Sequence, residues 1–307
     1  MRTRTTLAAI GIALSSPSAL PAQSVARQIT PAAQDRISVV VEGKGPDVIL
    51  IPGLASSREV WSGLVDRLKQ THRLHLVQIA GFAGAPAATD PGNRVAAPSA
   101  EAIADYILRE GIKAPLVIGH SLGGEVALML GARHPGEVGR LVIVDALPFY
   151  SLLFSPAATV EAVTPRAIAF REAMMAAPAE QANNMQAAAI ARLVKTEAAR
   201  PAIVAAGVRS DRKTVADATY ELMTTDLRPE LNRITAPVEV VYAYDKMYGV
   251  PPADIDATFR NAFASTPEVR FKRIDDSFHF VMLDQPDAFE RAVMEFVDQS
   301  TPVPTNR

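Results

Sequence analysis

The sequence predicts an α/β fold, in which a mostly parallel sheet carries helices on both faces and a helical lid is inserted. Three observations lead to this prediction. Short apolar runs alternate along the chain with segments of helical periodicity, and this alternation is typical of a parallel sheet. The runs are apolar at consecutive positions, as expected of strands that are buried on both faces. The alternation stops at residue 148 and resumes near residue 230, which predicts an insertion between two parts of one core.

The first part of the core, residues 27–147, is expected to supply most of the sheet. Each predicted strand is an apolar run that ends at or near a glycine, a proline or an acidic residue. The predicted strands are 37–41, 48–51, 74–79, 116–118 and 141–144. The predicted helices are 58–70, 100–109 and a segment that starts after residue 121 and stops at His134-Pro135-Gly136. Ser99 is expected to cap the second of these helices.

Residues 148–229 form the expected lid, which is rich in alanine and methionine and lacks strand-like runs. The alternative is that these helices simply extend the core. The lid is favoured because strand and helix patterns resume in residues 230–307, the second part of the core. The predicted elements there are strands 238–242 and 269–274 and helices 254–264 and 286–297.

Composition excludes several classes of protein. The chain has 307 residues, a net charge of −2 and no basic cluster, which argues against a nucleic-acid partner and against binding to an anionic membrane surface. No apolar run approaches the roughly 20 residues that span a bilayer. The sequence contains no cysteine, so disulfides and thiolate metal sites are excluded. The hydrophobic content of 49% suits one large core with an insertion.

No cofactor or metal ion is expected, and the expected partner is a small-molecule substrate. The chain has no H-E-x-x-H pattern and no helical histidine pair with a carboxylate at ligand spacing, which are the usual signs of a zinc site. The spacing of Gly119, Gly123 and Gly124 matches neither a dinucleotide fingerprint nor a phosphate-binding loop, because no Gly-Lys-Ser/Thr follows.

The N-terminus predicts export. Met1-Arg2-Thr3-Arg4 is basic, residues 7–14 are uncharged and mostly apolar, and small residues follow. This order is typical of a signal peptide, here expected over residues 1–26, with cleavage after Ala26 or after Ala22. The alternative is an alanine-rich tail. A signal peptide in a bacterium would make the protein periplasmic or secreted.

The pattern Gly119-His120-Ser121-Leu122-Gly123 lies between an apolar strand and a helix. A sharp strand-to-helix turn of the form G-x-S-x-G strains the backbone of its serine and exposes the hydroxyl. Gly119 and Gly123 allow the strand and the helix to pass close together, where a Cβ would clash. The interpretation is that Ser121 is a catalytic nucleophile; the alternative is an ordinary glycine-rich turn.

A nucleophilic serine needs an adjacent base, and His279 is the best candidate among the five histidines. It follows the strand predicted at 269–274, so it lies at a carboxyl end of the sheet, where it can converge on Ser121. The alternative is a loop histidine packed between two phenylalanines. The other histidines have no such position, and His120 is expected to face away from Ser121; they are His72, His75, His120 and His134.

The base needs an acid that holds its tautomer. Asp245 follows the strand at 238–242 and is the favoured candidate. Asp145 follows the strand at 141–144 and is the rival, although it could instead be a capping carboxylate at the entrance to the lid. Asp226 and Asp276 are weaker candidates.

The tetrahedral intermediate of acyl transfer needs backbone N–H donors. The residue after the nucleophile, Leu122, is expected to supply one. The second is expected from the loop after the strand at 48–51, at Leu54.

These residues resemble the α/β-hydrolase superfamily, in its lid-bearing serine esterase and C–C hydrolase-like branch. The motifs that carry the resemblance are Ile51-Pro52-Gly53-Leu54, Gly119-His120-Ser121-Leu122-Gly123-Gly124, Tyr244-Asp245, and His279 followed by Met282-Leu283-Asp284-Gln285-Pro286. The resemblance implies a triad of Ser121, His279 and Asp245 in the chain order Ser…Asp…His. Two positions depart from the pattern of the superfamily: Pro52 replaces the usual histidine, and Tyr242 replaces the glycine that commonly precedes the acid by three residues.

The expected function is that of a serine hydrolase that cleaves an ester or related acyl bond of a small, apolar substrate through an acyl-enzyme. The alanine, methionine and leucine of the lid favour an apolar group, because ligand pockets are mostly apolar. The same triad could instead serve C–C bond or amide hydrolysis, acyl transfer or perhydrolysis. A third hypothesis is a non-catalytic ligand-binding protein on the same fold.

Overall fold

The fold is built on a seven-stranded sheet in the order β1-β3-β2-β4-β5-β6-β7. The computed structural model describes residues 35–89 and 92–298, so the expected signal peptide lies outside the described residues. The strands are β1 (Ile37–Gly43), β2 (Asp47–Ile51), β3 (Arg73–Ile79), β4 (Leu116–His120), β5 (Arg140–Val144), β6 (Val238–Tyr244) and β7 (Val269–Asp275). β1 pairs antiparallel with β3, and the remaining pairs are parallel. The predicted α/β class and mostly parallel sheet are confirmed.

The central strands are buried on both faces, as their continuous apolar runs predict. Along β2, Ile49 and Ile51 belong to one hydrophobic cluster, whereas Val48 and Leu50 belong to a second cluster on the opposite face. Successive side chains of a strand point to opposite faces, so a strand between two helical layers must be apolar at every position.

Helices cover both faces of this sheet. The helices of the core are α1 (Ser62–Leu68), α2 (Ala96–Arg109), α3 (Leu122–Arg133), α8 (Pro252–Ala262), α9 (Val281–Asp284) and α10 (Pro286–Asp298). Residues of α2 and α3 such as Ile103 and Val126 pack into the first cluster. Residues of α1 and α10 such as Leu64 and Phe289 pack into the second.

The start of α2 differs from the sequence prediction. The helix begins at Ala96, and Ser99 lies inside it, where its hydroxyl donates to the carbonyl of Val95. The first N–H groups are instead satisfied by the carboxylate of Glu221, which accepts from Ala96 N at 2.8 Å and Ala97 N at 3.0 Å. A helix N-terminus needs such acceptors, and here a distant residue supplies them.

An insertion, residues 148–229, separates β5 from β6 and is helical where the sequence predicts a lid. Its α-helices are α4 (Val160–Ala176), α5 (Ala179–Leu193), α6 (Arg200–Val208) and α7 (Arg212–Thr224). Helix α7 contacts the core through Ala218 and Leu222. In α4 only Ala167 is buried, and in α5 only Ile190. In the described part of the chain, no helix is both long and apolar enough to cross a membrane.

Candidate active site

Ser121 lies in a strained turn between β4 and α3, with φ of 55° and ψ of −122°. Few non-glycine residues adopt a positive φ, and those that do are concentrated at functional sites. The turn can be this sharp because its two glycines have no Cβ, so that neighbouring backbone can approach them closely. A Cβ on Gly119 would lie 2.1 Å from the carbonyl oxygen of Gly123, and one on Gly123 would lie 2.3 Å from that of Ile51. The local geometry is that of the predicted nucleophile turn.

The loop that follows β2 passes directly beside Ser121. A Cβ built on Gly53 would lie 3.1 Å from the Cβ of Ser121, so the loop that contains the half-buried Leu54 borders the serine. On the other side, Leu122 is the first residue of α3, and the N–H groups of a first turn have no partner within the helix. Both proposed oxyanion donors therefore belong to segments that adjoin Ser121.

His279 is hydrogen-bonded to Asp145, the rival acid, and not to Asp245. Its Nδ1 lies 2.6 Å from Oδ2 of Asp145. The other oxygen of Asp145 accepts from the N–H of Ala243 at 2.9 Å. Both side chains are largely buried, with 22% and 15% of their surface exposed. The carboxylate is thus fixed through both oxygens and aligned with the imidazole.

The prediction that Asp245 pairs with His279 is wrong, because Asp245 is hydrogen-bonded to other groups. Its two oxygens accept from the ammonium of Lys195 at 2.7 Å and from the N–H of Met247 at 2.8 Å. These hydrogen bonds, with that of Lys195 the stronger influence, lower the pKa of the Asp245 carboxyl. In the sheet, β5 lies beside β4 and β6 is one strand farther away. Asp145 at the end of β5 is therefore nearer the strand that leads to Ser121.

The weaker acid candidates are also engaged elsewhere. Asp276 pairs with Lys195, and Asp226 pairs with Arg228 at 2.6 Å. Neither is hydrogen-bonded to His279 in the described residues.

His120 is a functional candidate that sequence reasoning missed. It is fully buried, and its Nε2 lies 3.0 Å from the carbonyl oxygen of His279. Burial, with a smaller influence from His279, lowers the pKa of His120 well below its ordinary value, so the ring is neutral and its Nε2–H donates. The residue beside Ser121 therefore holds the backbone of His279. Its position next to Ser121 was the only available signal.

The remaining histidines have structural partners, and the ring of His72 lies 2.9 Å from the hydroxyl of Thr71. His75 is buried and bonded to Asp47 and Tyr106. His134 ends α3 and is bonded to Glu101.

A buried carboxyl lies one helical turn after Ser121. Glu125 on α3 is 2% exposed, and burial, together with the negative charge of Glu221, raises its pKa to about 8. A hydrogen bond of Thr225 and, to a smaller extent, the positive charge of Arg133 oppose this shift. Glu221 belongs to α7, so the charge that helps to raise the pKa of Glu125 comes from the insertion. At neutral pH the side chain of Glu125 is therefore protonated.

We expect Glu125→Gln to flatten the dependence of stability on pH. The folded pKa of about 8 exceeds the ordinary value of 4.5, so between these values the native state binds more protons than the unfolded state. The free energy of unfolding then falls as pH rises, by about 1.4 kcal/mol per pH unit. Glutamine is neutral throughout. Between pH 5 and pH 8 the unfolding free energy of the wild type should therefore fall by about 3.5 kcal/mol more than that of the variant, since the slope is smaller near each pKa.

Urea unfolding across this pH range measures the effect. The control is Glu180→Gln, which removes an exposed glutamate of α5 and should leave the wild-type slope. A Glu125→Gln slope equal to that of wild type would mean that Glu125 is already ionised at neutral pH.

Comparison with known proteins agrees with this architecture. The family model described as "Alpha/beta hydrolase family" matches residues 48–292. The pimeloyl-[acyl-carrier protein] methyl ester esterase of Aromatoleum aromaticum is 30% identical over 263 residues, which cover 79% of this chain and 94% of that protein.

Solved structures share the fold. The enol-lactonase from Burkholderia xenovorans LB400 has a TM-score of 0.69 at 19% identity, covering 85% of this chain and 96% of that one. A thermophilic esterase from Thermogutta terrifontis has a TM-score of 0.70 at 19% identity, covering 86% and 93%. Because the family model matches most of the length of this chain, the chain belongs to the α/β hydrolase family.

Proposed function

We propose that the protein is a serine carboxylesterase that cleaves a small ester with an apolar acyl or alcohol group. In this proposal Ser121 is the nucleophile, His279 the general base and Asp145 the acid that orients it. The backbone N–H groups of Leu54 and Leu122 form the oxyanion hole. The observation that carries the proposal is the 2.6 Å hydrogen bond between His279 and Asp145, in the same structure as the strained turn of Ser121.

The bond to Asp145 determines which nitrogen of His279 is basic. When Nδ1–H donates to the carboxylate, the lone pair remains on Nε2, which can accept the proton of the Ser121 hydroxyl. Ser121 Oγ then attacks the ester carbonyl, and the oxyanion is stabilised by the two N–H groups. The imidazolium returns the proton to the departing alcohol. Water, activated by the same His279 nitrogen, releases the acid from the acyl-enzyme.

An ester is favoured over an amide or a C–C bond by the relatives. Curated relatives from Aromatoleum aromaticum and Vibrio vulnificus are named methyl ester esterases. The Burkholderia enol-lactonase acts on an internal ester by its name. Apolar side chains at the surface of the insertion support an apolar substrate, with Phe154, Ile168 and Met185 each at least 44% exposed.

Export is part of the proposal, on the strength of residues 1–26 alone. The proposed location is the periplasm or the medium.

Activity-based labelling tests the proposed function. The purified protein is treated with a fluorophosphonate probe and digested, and the modified peptide is identified by mass spectrometry. We expect label on Ser121, and loss of p-nitrophenyl ester hydrolysis in proportion to labelling. A panel of esters, a lactone, a thioester and an anilide separates the reaction types. Absence of label on Ser121, together with absence of hydrolysis across the panel, would leave only a non-catalytic binding protein.

A further inference from the structure

The insertion is joined to the loop of His279 by a set of hydrogen bonds that the proposed mechanism does not use. We call this set the junction: residues 193–196, at the end of α5, with residues 276–284, which lead from β7 through α9. His279 lies within the second segment. The inference rests on the proposed function for its catalytic consequence, but the junction itself is described by geometry alone.

Asp284 is the centre of the junction. Its Oδ2 accepts from the N–H of Lys195 at 3.1 Å and its Oδ1 from that of Thr196 at 2.8 Å. Oδ2 also accepts from the N–H of Phe278 at 2.9 Å. One carboxylate therefore binds two residues of the insertion and the residue that precedes His279. Hydrogen bonds to a charged acceptor are roughly twice as strong as neutral ones.

The backbone on the other side of His279 is also held by the insertion. The N–H of Phe280 donates to the carbonyl of Leu193 at 3.1 Å. The carbonyl of His279 itself accepts from His120. Both neighbours of the base are thus fixed by the junction, and the base is fixed by the nucleophile turn. Little freedom remains for the imidazole to move away from Asp145.

Lys195 adds an ionic contact to the same junction. Its ammonium bridges Asp245, at 2.7 Å, and Asp276. Asp245 follows β6 and Asp276 follows β7, so one lysine of the insertion links the ends of two core strands. Asp245 lies at a strand end that would suit a catalytic acid, but its carboxylate is paired with Lys195.

We propose that Asp284 is a positioning residue, through which residues 193–196 of the insertion hold the loop of His279 so that its imidazole stays aligned with Asp145 and Ser121. The insertion is then part of the scaffold of the base, in addition to any role in covering substrate. Lys195 supports the same alignment from the side of Asp245 and Asp276.

Asp284→Ala removes all three hydrogen bonds of the carboxylate. We expect kcat and the rate of fluorophosphonate labelling to fall together by about 10²-fold, because a displacement of about 1 Å at a catalytic group costs that much, with little change in KM. Asp284→Asn keeps one accepting oxygen, so its loss should be smaller; it also serves if the alanine variant does not fold. Lys195→Met should lower both rates less than Asp284→Ala does.

The matched control is Lys213→Met, another lysine of the insertion. Its ammonium bonds Asp217 and the carbonyl of Gly92, away from the junction. We expect rates within about twofold of wild type, because the buried Asp217 keeps Arg171 as a partner and the loop of His279 is untouched. If Asp284→Ala raises KM and leaves kcat and the labelling rate unchanged, the insertion only covers substrate and the proposal is overturned.

Amide hydrogen exchange measures the stability of the junction independently of catalytic activity. In Asp284→Ala, the amides of Phe278, Lys195 and Thr196 should exchange faster, and that of Phe280 should follow, with no change in the amides of β4. Unchanged exchange at Phe278 and Phe280 would overturn the proposal even for an active enzyme. A wild-type protein that neither hydrolyses esters nor is labelled would overturn the proposed function, whereas the exchange result would still decide whether Asp284 holds the loop.

Discussion

Ser121→Ala is expected to lower kcat for ester hydrolysis by about 10⁶-fold, and His279→Ala by a similar factor. The two side chains act as one unit, because an unactivated hydroxyl is a weak nucleophile and a base without a nucleophile has no proton to take. The double variant should therefore be no slower than either single variant. A residual rate above that in water should persist, since the backbone donors at Leu54 and Leu122 remain.

The measurement is single-turnover hydrolysis of a p-nitrophenyl ester by each variant. His134→Ala is the matched control, because His134 ends α3 and bonds Glu101 without contacting the site, and its activity should equal that of wild type. Losses that multiply in the double variant would show that Ser121 and His279 contribute independently, which contradicts a shared proton transfer.

The strands and the strained turn of Ser121 could be predicted from local sequence. A strand between two helical layers must be apolar at every position, so β2 and β5 are visible as continuous runs. The turn of Ser121 requires glycine at two positions, because a Cβ at either one would lie 2.1 or 2.3 Å from a backbone oxygen. Both glycines lie within one five-residue motif, so local sequence is enough to indicate the turn. The position of His279 at the carboxyl edge of the sheet could be predicted, because it follows β7.

The sequence could not predict the contacts that charged residues of the insertion make with the core, because the partners are far apart along the chain. The N-terminus of α2 is capped by Glu221, more than a hundred residues away along the chain, so the local signal at Ser99 was misleading. Asp245 and Asp145 both follow apolar strands, and no pattern distinguishes them. In the structure, the ammonium of Lys195, fifty residues before Asp245, pairs with the carboxylate of Asp245, and the carboxylate of Asp145 is the one that bonds His279.

Asp145→Asn is expected to lower kcat by about 10⁴-fold, the loss typical when an asparagine replaces the acid of a triad. An amide presents an oxygen to Ala243 as the carboxylate does, so the fold should be retained. Facing His279, the amide no longer stabilises the imidazolium, and it can donate to Nδ1 and so favour the tautomer that lacks a basic Nε2. The loss should appear in kcat and in the rate of fluorophosphonate labelling, with little change in KM.

Asp245→Asn is the matched test, because both aspartates follow neighbouring strands and both lose one charge. Its carboxylate contacts Lys195 and Met247. An asparagine keeps an oxygen that can accept from both, so the variant removes only the charge and should lower kcat by about tenfold or less, as expected of a small displacement of the loop of His279. The two variants should therefore differ by about 10³-fold in kcat when measured on the same ester and at the same pH. The opposite order, with Asp245→Asn the slower enzyme, would mean that His279 turns to Asp245 during the reaction and that Lys195 must release it first.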